Sequence, residues 1–170
     1  MRICVLASGS KGNCTFVEGE NTRILIDAGL TKSDIEERLA LIGIDPNSIN
    51  SILVTHEHGD HIKGLGAFAR AHDTAIYAHP DTWAEMDNKI GIIPANHKLG
   101  IFGEDFNINE LAISSFDLSH DSRHCLGFSI YEGNKKFSTA TDLGFITDQI
   151  IKNLADSSLV VLEANHDVNR

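Results

Sequence analysis

The sequence is poor in cysteine and lacks long apolar runs. Its three cysteines, Cys4, Cys14 and Cys125, cannot all pair with one another. We therefore expect no disulfide framework, and we expect the protein to be in a reducing, cytoplasmic compartment. No apolar run approaches the roughly 20 residues that a membrane-spanning helix needs. The apolar run near the start, Ile3 to Ala7, is also shorter than the apolar stretch of a secretory signal, so we expect no membrane association.

Basic residues are scarce as well. Fourteen Lys and Arg stand against 24 Asp and Glu, which gives a formal net charge of −10 with neutral histidines. Such an acidic surface argues against passive, non-specific clamping of nucleic acid. It does not exclude a nucleic-acid substrate held at a metal centre, because bound cations reverse the local charge. Repeats, low-complexity tracts and linkers are also missing from the sequence, so we expect a single domain over residues 1–170.

The apolar pattern predicts a layered α/β protein. Short apolar runs bounded by Gly, Asn or Ser predict strands, and apolar residues at helical spacing predict helices. The segment Ser33 to Glu36 has the pattern of a capping box at the start of the first helix. The turn-rich residues 91–110 are not assigned. Strands are predicted at 2–7, 14–18, 22–27, 50–55, 75–78, 111–118, 126–132, 135–141 and 158–163, the last as a buried strand. Further helices are predicted at 62–72, 80–88 and 147–156, so that helices sandwich the sheets.

The strongest chemical signal directly follows the predicted strand at 50–55. Within six residues the chain places three imidazoles and one carboxylate, those of His56, His58, Asp60 and His61. In a tight loop the first two histidines can point to one side while the carboxylate and the last histidine turn to another. We expect Gly59 to relax the backbone so that these groups converge. Imidazole nitrogen and carboxylate oxygen suit divalent cations, so the pattern predicts two adjacent metal ions. The alternative is a solvated, charged loop before a helix.

This segment resembles the H-x-H-x-D-H motif of the metallo-β-lactamase fold superfamily, and other parts of the chain match that family too. Asp27, in Leu-Ile-Asp-Ala-Gly, matches the aspartate that braces the metal loop. His120 stands where the family has a further metal-binding histidine, and Asp142 stands where it has a metal-bridging aspartate. The resemblance implies an αββα sandwich with the site along one edge of the two sheets. It implies a first metal held by His56, His58 and His120, and a second held by Asp60, His61 and the bridging Asp142.

Two further stretches resemble the YycJ/WalJ-like branch of this family, the glycine-rich segment 8–14 and the segment 163–167. The branch implies nucleic-acid phosphodiesters as substrates. It also implies two divalent ions, with zinc preferred and manganese as the alternative, that lower the pKa of a bridging water to about 7 so that hydroxide attacks phosphorus. In this interpretation the site rim offers polar groups to a phosphate from Ser8, Ser10 and Asn13. Asp60 also positions the nucleophile, and the candidates for proton relay are Glu163 and His166.

Each of these residues also has a plain structural interpretation. Segment 8–13 has the composition of a tight turn, and Asp27 can cap a strand end instead of orienting a ligand. His120 and Asp142 can be ordinary polar residues, and the groups after the last strand can be solvated. We expect the other histidines to be structural or surface residues, with His124 as a reserve ligand: His72, His79, His97 and His124. The three cysteines are expected to be small apolar residues and not nucleophiles.

One feature of complete family members has no counterpart here. They carry another metal-binding histidine after a further strand, whereas this sequence ends seven residues after Glu163. We therefore expect a C-terminally truncated chain with an incomplete second half, a second metal short of one ligand and an unpaired sheet edge. The leading hypothesis is a metal-dependent hydrolase of nucleic acid. The alternatives are a hydrolase of small thioesters, lactones or cyclic phosphodiesters, a mono-iron dioxygenase, and a non-catalytic remnant. The oligomeric state is open.

Overall fold

A computed structural model describes residues 1–163, which form two β-sheets packed against each other. In the first sheet the strands lie in the order of the chain. The first three are antiparallel neighbours, whereas the third to the sixth run parallel. These strands are β1 (Arg2–Ala7), β2 (Cys14–Glu18), β3 (Arg23–Ile26), β4 (Ser51–Leu53), β5 (Ala75–Ala78) and β6 (Lys98–Gly100).

The second sheet is antiparallel except at one edge. Its strands also lie in the order of the chain, and within residues 1–163 its one parallel pair is formed by its last two strands. The strands are β7 (Phe106–Ile108), β8 (Leu111–Leu118), β9 (Cys125–Glu132), β10 (Lys135–Ala140) and β11 (Leu159–Leu162). A turn at Gly133 and Asn134 joins β9 to β10, with Gly133 at a φ of 58°. Glycine adopts this left-handed conformation without the steric cost that a side chain brings.

Helices cover the outer faces of both sheets. They are α1 (Lys32–Leu41), α2 (Gly59–Ile62), α3 (Leu65–His72), α4 (Pro80–Ile90) and α5 (Asp148–Leu154). Side chains of α1, α3 and α4 pack on the first sheet, and Ile150 of α5 packs on the second. The layers therefore follow the order helix, sheet, sheet, helix, and the predicted αββα sandwich is confirmed. Among residues 1–163, no helix has both the length and the apolarity that crossing a membrane requires.

Alternation along the strands explains why the first sheet has two apolar faces. In β2, Phe16 packs towards the helices and its neighbour Val17 packs towards the second sheet. In β3, Leu25 packs towards the helices and Ile24 towards the second sheet, because successive side chains of a strand point to opposite faces. All four are fully buried. The sheet is covered on both sides, and its strands accordingly appear in the sequence as continuous apolar runs.

The start of α1 differs from the prediction. Thr31 is the N-cap residue, its hydroxyl oxygen accepts the Asp34 N–H, and its hydroxyl also bonds the Asp34 carboxylate. The predicted capping box at Ser33 is therefore wrong by two residues. The helix predicted at 62–72 is divided as well. Gly64 separates α2 from α3, and a Cβ there would lie 2.2 Å from the Leu30 carbonyl oxygen.

Two further stretches depart from the prediction. The unassigned residues 91–110 contain a short 3-10 turn (Ala95–His97) and the strands β6 and β7. The last strand, β11, was expected to be buried, but Leu159 and Leu162 are 47% and 45% exposed. Within residues 1–163, β11 forms the edge of the second sheet. An edge strand has a neighbour on one side only, so an apolar sequence does not ensure its burial.

Candidate metal centre

The metal loop, residues 55–61, follows the carboxyl end of β4, and its last three residues belong to α2. His56 and His61 are fully buried, and His58 is the N-cap residue of α2. Gly59, the first residue of α2, has no positive φ and has open space around its Cβ position. The expectation that Gly59 relaxes the backbone is therefore wrong. The loop is shaped instead by its bonds to neighbouring segments, such as the Ala28 N–H that donates to the His61 carbonyl oxygen over 2.8 Å.

The structure brings together the first predicted ligand group, His56, His58 and His120. One nitrogen from each ring lies within 4.8 Å of the other two. His120 Nε2 is 3.2 Å from His58 Nδ1. The centre of the His56 ring lies 4.6 Å from the centre of the His58 ring and 4.7 Å from that of His120. His120 follows β8, 62 residues further along the chain than His58. The end of the second sheet thus places it against the end of the first.

The second group contains His61, Asp142 and, again, His56. Their ligand atoms also lie within 4.8 Å of one another, and His61 Nε2 is 3.0 Å from Asp142 Oδ2. Asp60 Oδ2 is 3.6 Å from the same nitrogen. His56 thus belongs to both groups, whereas the sequence divided the loop into two separate sides. Asp142 follows β10, so the proposed ligands come from the segments just after β4, β8 and β10, with Asp60 and His61 in α2.

Hydrogen bonds around Thr55 determine which nitrogens face the cluster. The Thr55 N–H donates to Asp27 Oδ1 over 2.8 Å, and its hydroxyl donates to Asp27 Oδ2 over 2.9 Å. Since that hydroxyl proton is used, Thr55 Oγ1 accepts from His56 Nδ1 at 3.0 Å. His61 Nδ1 donates to the same Asp27 carboxylate over 2.8 Å. Both histidines therefore direct Nε2 towards the cluster.

The donor set fits a divalent metal ion. His56 Nε2 is buried and has no hydrogen-bond partner among residues 1–163. A buried polar atom without a partner costs about 1–3 kcal/mol, so such atoms are rare unless they serve a ligand. His56 shares its two groups with three other histidines and Asp142, and Asp60 lies 3.6 Å from His61 Nε2; imidazole and carboxylate are the ligand types that zinc and similar cations use. Asp27 in turn orients His61, in the manner of a carboxylate behind a metal-binding histidine.

The two buried histidines titrate in opposite directions. Burial, together with the charge of neighbouring imidazoles, lowers the pKa of His56 to about 2. Burial also acts to lower the pKa of His61, but the Asp27 and Asp142 carboxylates outweigh it and raise that pKa to about 10. Burial raises the pKa of Asp142, yet its hydrogen bond with His61 prevails and lowers it overall. Without a metal, His61 is a cation held between two carboxylates, and His56 is neutral.

Asp27 and Asp142 share an unusual backbone conformation. Their φ angles are 61° and 58°, in the left-handed region that residues other than glycine seldom adopt. Aspartate tolerates this region better than most residues, and strain of this kind concentrates at functional sites. The expectation that Asp27 supports the metal loop is consistent with its contacts, because its carboxylate joins Thr55 and His61.

Segment 8–13 forms one wall of a cavity of about 430 Å³ beside the cluster. Asn13 Nδ2 donates to Asp60 Oδ2 over 3.2 Å and lies 3.0 Å from His61 Nε2. Asn13 thus contacts two of the proposed ligands. The Asn13 side-chain oxygen accepts the Gly9 N–H, which folds the segment as a turn. Ser8 and Ser10 of the same segment line the cavity too, and the other lining residues include Thr141, Asp142 and Glu163.

Glu163 reaches this cavity, but its observed bond is to the backbone. Its Oε2 accepts the Leu143 N–H over 2.9 Å, one residue beyond Asp142. This contact holds the segment that carries Asp142, and whether Glu163 also relays protons stays a prediction. The second predicted relay residue, His166, lies outside the described residues.

The remaining histidines lie outside the two groups. His72 bonds Glu36 and Asn47, and His97 lies 3.7 Å from Asp73. His79 and His124 stack at 3.6 Å, and together with Asp81 they offer a third set of neighbouring donor atoms. His79, however, accepts the Asp81 N–H as the N-cap of α4. His124 bonds Asp117 and belongs to neither group that contains His56, so the reserve ligand is not part of the proposed centre.

Two residues of the metal loop, Thr55 and Glu57, take part in the site without having been predicted from the sequence. Thr55 connects Asp27 to His56, and the buried Glu57 accepts the Arg123 N–H over 2.8 Å. The available signal was their position inside the motif, next to proposed ligands. A threonine at a strand end and a glutamate in a polar loop are nevertheless common, and nothing local in the sequence marks them as buried.

Fold and site together define a class: an αββα sandwich whose sheet ends converge on a polyhistidine and aspartate cluster. The chain belongs to the metallo-beta-lactamase superfamily, whose family model matches residues 7–161. This confirms the resemblance inferred from the motifs, and the cluster supports the use of divalent metal.

Similarity to known proteins extends along the chain. It is 37% identical over 170 residues to Exodeoxyribonuclease YycJ of Bacillus anthracis, a match that covers 99% of this chain and 64% of that protein. It is 35% identical over 167 residues to Exodeoxyribonuclease WalJ of Streptococcus pneumoniae, covering 96% and 62%. The YycJ/WalJ-like resemblance is thereby confirmed. The chain spans less than two thirds of the length of these two relatives.

Solved structures agree on the fold. The metallo-beta-lactamase fold protein YhfI from Bacillus subtilis superposes with a TM-score of 0.78 at 16% identity, covering 99% of this chain and 73% of that one. The short form of human tRNase Z superposes with a TM-score of 0.74 at 18% identity, covering 98% and 79%.

Proposed function

We propose that this protein is a metal-dependent phosphodiesterase that acts on nucleic acid. The observation that carries the proposal is that two donor groups share His56, whose buried Nε2 has no hydrogen-bond partner among the described residues 1–163. Similarity to proteins named exodeoxyribonuclease and ribonuclease Z supports nucleic acid as the substrate class.

The chain offers two neighbouring sites for divalent ions, and we propose zinc for both, with manganese as the alternative. His56, His58 and His120 would hold the first ion, and Asp60, His61 and Asp142 would hold the second, with Asp142 also reaching the first. Ions bound there lower the pKa of water and stabilise negative charge on a phosphoryl group. His56 contacts both donor groups, so its side chain links the two sites.

The surrounding residues orient this donor set. Asp27 accepts from Thr55 and His61, which keeps the Nε2 atom of His61 turned towards Asp142. Asn13 donates to Asp60 and restrains the carboxylate that we propose also positions the nucleophile. With these partners in place the ligands need little reordering when a substrate binds, and such preorganisation favours the transition state.

Departure of the leaving oxygen needs a proton source or a positive charge. Glu163 lines the cavity next to Asp142, and we propose it, with His166, as candidates for proton relay. The Leu143 N–H bond holds the Glu163 carboxylate at the cavity wall. Ser8 and Ser10, on the facing wall, would offer hydroxyl groups to a phosphate.

Two cavities flank the proposed centre, and their arrangement suits a polymer better than a compact substrate. One is the cavity of about 430 Å³ bounded by segment 8–13. The other, of about 710 Å³, is bounded by His120, Arg123 and Phe145. Phe145 is 63% exposed, and an exposed ring is a surface on which a nucleobase can stack. The net charge of −10 favours the alternative of a small phosphodiester.

The free cysteines bear on where the protein works. Cys4, Cys14 and Cys125 are unpaired in the structure of residues 1–163. Because unpaired thiols are typical of reducing compartments, we propose a cytoplasmic location.

A comparison of substrates tests the proposed function. Purified protein is stripped of metal, reloaded with zinc or manganese, and assayed with a DNA duplex, with bis-p-nitrophenyl phosphate and with a thioester. We expect hydrolysis of both phosphodiesters, faster on DNA, and loss of activity and of bound metal in His58→Ala. Failure to bind metal at neutral pH, or unchanged metal content in His58→Ala, rejects the metal centre. Hydrolysis of the thioester alone rejects the phosphodiesterase.

A further inference from the structure

Glu57 lies between two proposed metal ligands in the sequence, yet its own side chain points to a different segment. The residue is 8% exposed. Its Oε1 accepts the backbone N–H of Arg123 over 2.8 Å, across 66 residues of chain. Its Oε2 is buried and lacks a hydrogen-bond partner among residues 1–163. Burial of a carboxylate with an unused oxygen is costly, so this contact calls for a role.

Arg123 belongs to the segment 119–124 that joins β8 to β9 and carries His120. Among the described residues, two side-chain hydrogen bonds connect this segment to the metal loop 55–61. One joins His58 to His120, and the other joins Glu57 to Arg123. If His58 Nδ1 and His120 Nε2 both coordinate a cation, their lone pairs are used and the two nitrogens cannot hydrogen-bond each other. The bond from the Arg123 N–H to Glu57 is then the side-chain hydrogen bond that remains between the two segments within residues 1–163.

We propose that Glu57 is a positioning residue that fixes the segment 119–124 and thereby the place of His120 relative to His56 and His58. A bond from a backbone N–H to a carboxylate is stronger than one to a neutral acceptor. The bond reaches a backbone atom, so it holds the main chain of the segment whichever side chain Arg123 carries. The inference rests on the proposed metal centre, and it concerns the first donor group and not the second.

The test uses three variants of the full chain. Glu57→Ala removes the acceptor, Glu57→Gln retains an oxygen for the Arg123 N–H, and Glu37→Ala removes an exposed glutamate of α1 as the matched control. In metal-free protein, NMR hydrogen exchange of the Arg123 amide measures the bond directly. We expect exchange to be roughly tenfold faster in Glu57→Ala, largely restored in Glu57→Gln and unchanged in Glu37→Ala.

Metal titration gives the second readout. With zinc, and with cobalt as a spectroscopic probe, we expect one of two sites in Glu57→Ala to bind about 10- to 100-fold more weakly, with an altered cobalt spectrum, while the other site is retained. Glu57→Gln should lie between wild type and Glu57→Ala. Thermal melting of the metal-free variants checks the fold. If Glu57→Ala does not fold, the Glu57→Gln comparison decides.

The outcomes separate this inference from the proposed function. Unchanged Arg123 exchange in Glu57→Ala, or equal loss at both metal sites, overturns the positioning role. If the wild-type protein binds two metals but cleaves no phosphodiester, the proposed function is rejected. The exchange and titration results then still decide whether Glu57 is a positioning residue. If the wild type binds no metal, the metal-centre hypothesis fails and the inference fails with it, whatever the Arg123 amide shows.

Discussion

The Asp27 carboxylate lies 2.8 Å from His61 Nδ1, and both side chains are almost fully buried. The pair joins the residue after β3 to α2, and the two residues are 34 positions apart in the sequence. The same Asp27 carboxylate accepts two bonds from Thr55. One aspartate therefore fixes the start of the metal loop and the ring of a proposed ligand near its end.

Replacement of Asp27 by Asn should weaken the second metal site. Asparagine has the same size, but it loses the negative charge that draws the His61 Nδ1 proton and so favours Nε2 as the ligand atom. We expect metal affinity at the site of His61 to fall about 10- to 100-fold, and the pKa of His61 in the metal-free protein to fall from about 10. Calorimetric metal titration and NMR titration of His61 measure both changes. A variant with wild-type affinity at both sites contradicts the role given to Asp27.

The metal-free protein should lose stability in alkaline solution through His61. Its folded pKa of about 10 lies above the value of about 6.5 for an unfolded chain. The protonated His61 therefore stabilises the fold fully below pH 6.5, and this contribution disappears as the pH rises through about 10. Urea unfolding at a series of pH values, with His61→Gln for comparison, measures it. If the free-energy difference between the two proteins is constant from pH 6 to pH 10, the prediction is wrong.

His120 and His124 differ by four positions and should differ in effect. His120 lies with His56 and His58, whereas His124 bonds Asp117. His120→Ala should lose most of the metal at one site and reduce phosphodiester hydrolysis at least about 100-fold, because a ligand is removed. His124→Ala should retain both metals. Elemental analysis and activity assays compare the two, and metal loss in His124→Ala would show that the reserve ligand takes part.

Gly29 and Gly59 provide a matched pair for the backbone of the loop. A Cβ at Gly29 would lie 1.6 Å from the Asp60 carbonyl oxygen, whereas a Cβ at Gly59 meets nothing within 4 Å. Gly29→Ala should therefore destabilise the protein by about 2 kcal/mol or more and displace Asp60, with lower metal affinity. Gly59→Ala lies in the first turn of α2 and should leave stability nearly unchanged or slightly raised. Urea unfolding and metal titration check both, and equal effects would contradict the contact.

The sequence predicted most strands because apolar runs bounded by turn residues are local signals. β1, β2, β5 and β8 have the predicted bounds, and α4 extends two residues beyond its prediction. The errors occurred where long-range contacts decide. The strand β11 was expected to be buried, but it is the edge of the second sheet within residues 1–163, and Leu159 is 47% exposed. A single domain over residues 1–170 stays a prediction, supported by a core that both sheets share.

The sequence by itself determined the donor chemistry: the types of ligand, their position after predicted strands, and the family to which that pattern belongs. The tertiary structure decided which donors meet. His56 lies in both groups, Asp27 and Thr55 orient the imidazoles, and Glu57 reaches Arg123. These relationships join residues far apart in the chain, so they depend on strand register and on the packing of one sheet against the other. No local pattern of residues encodes such distances.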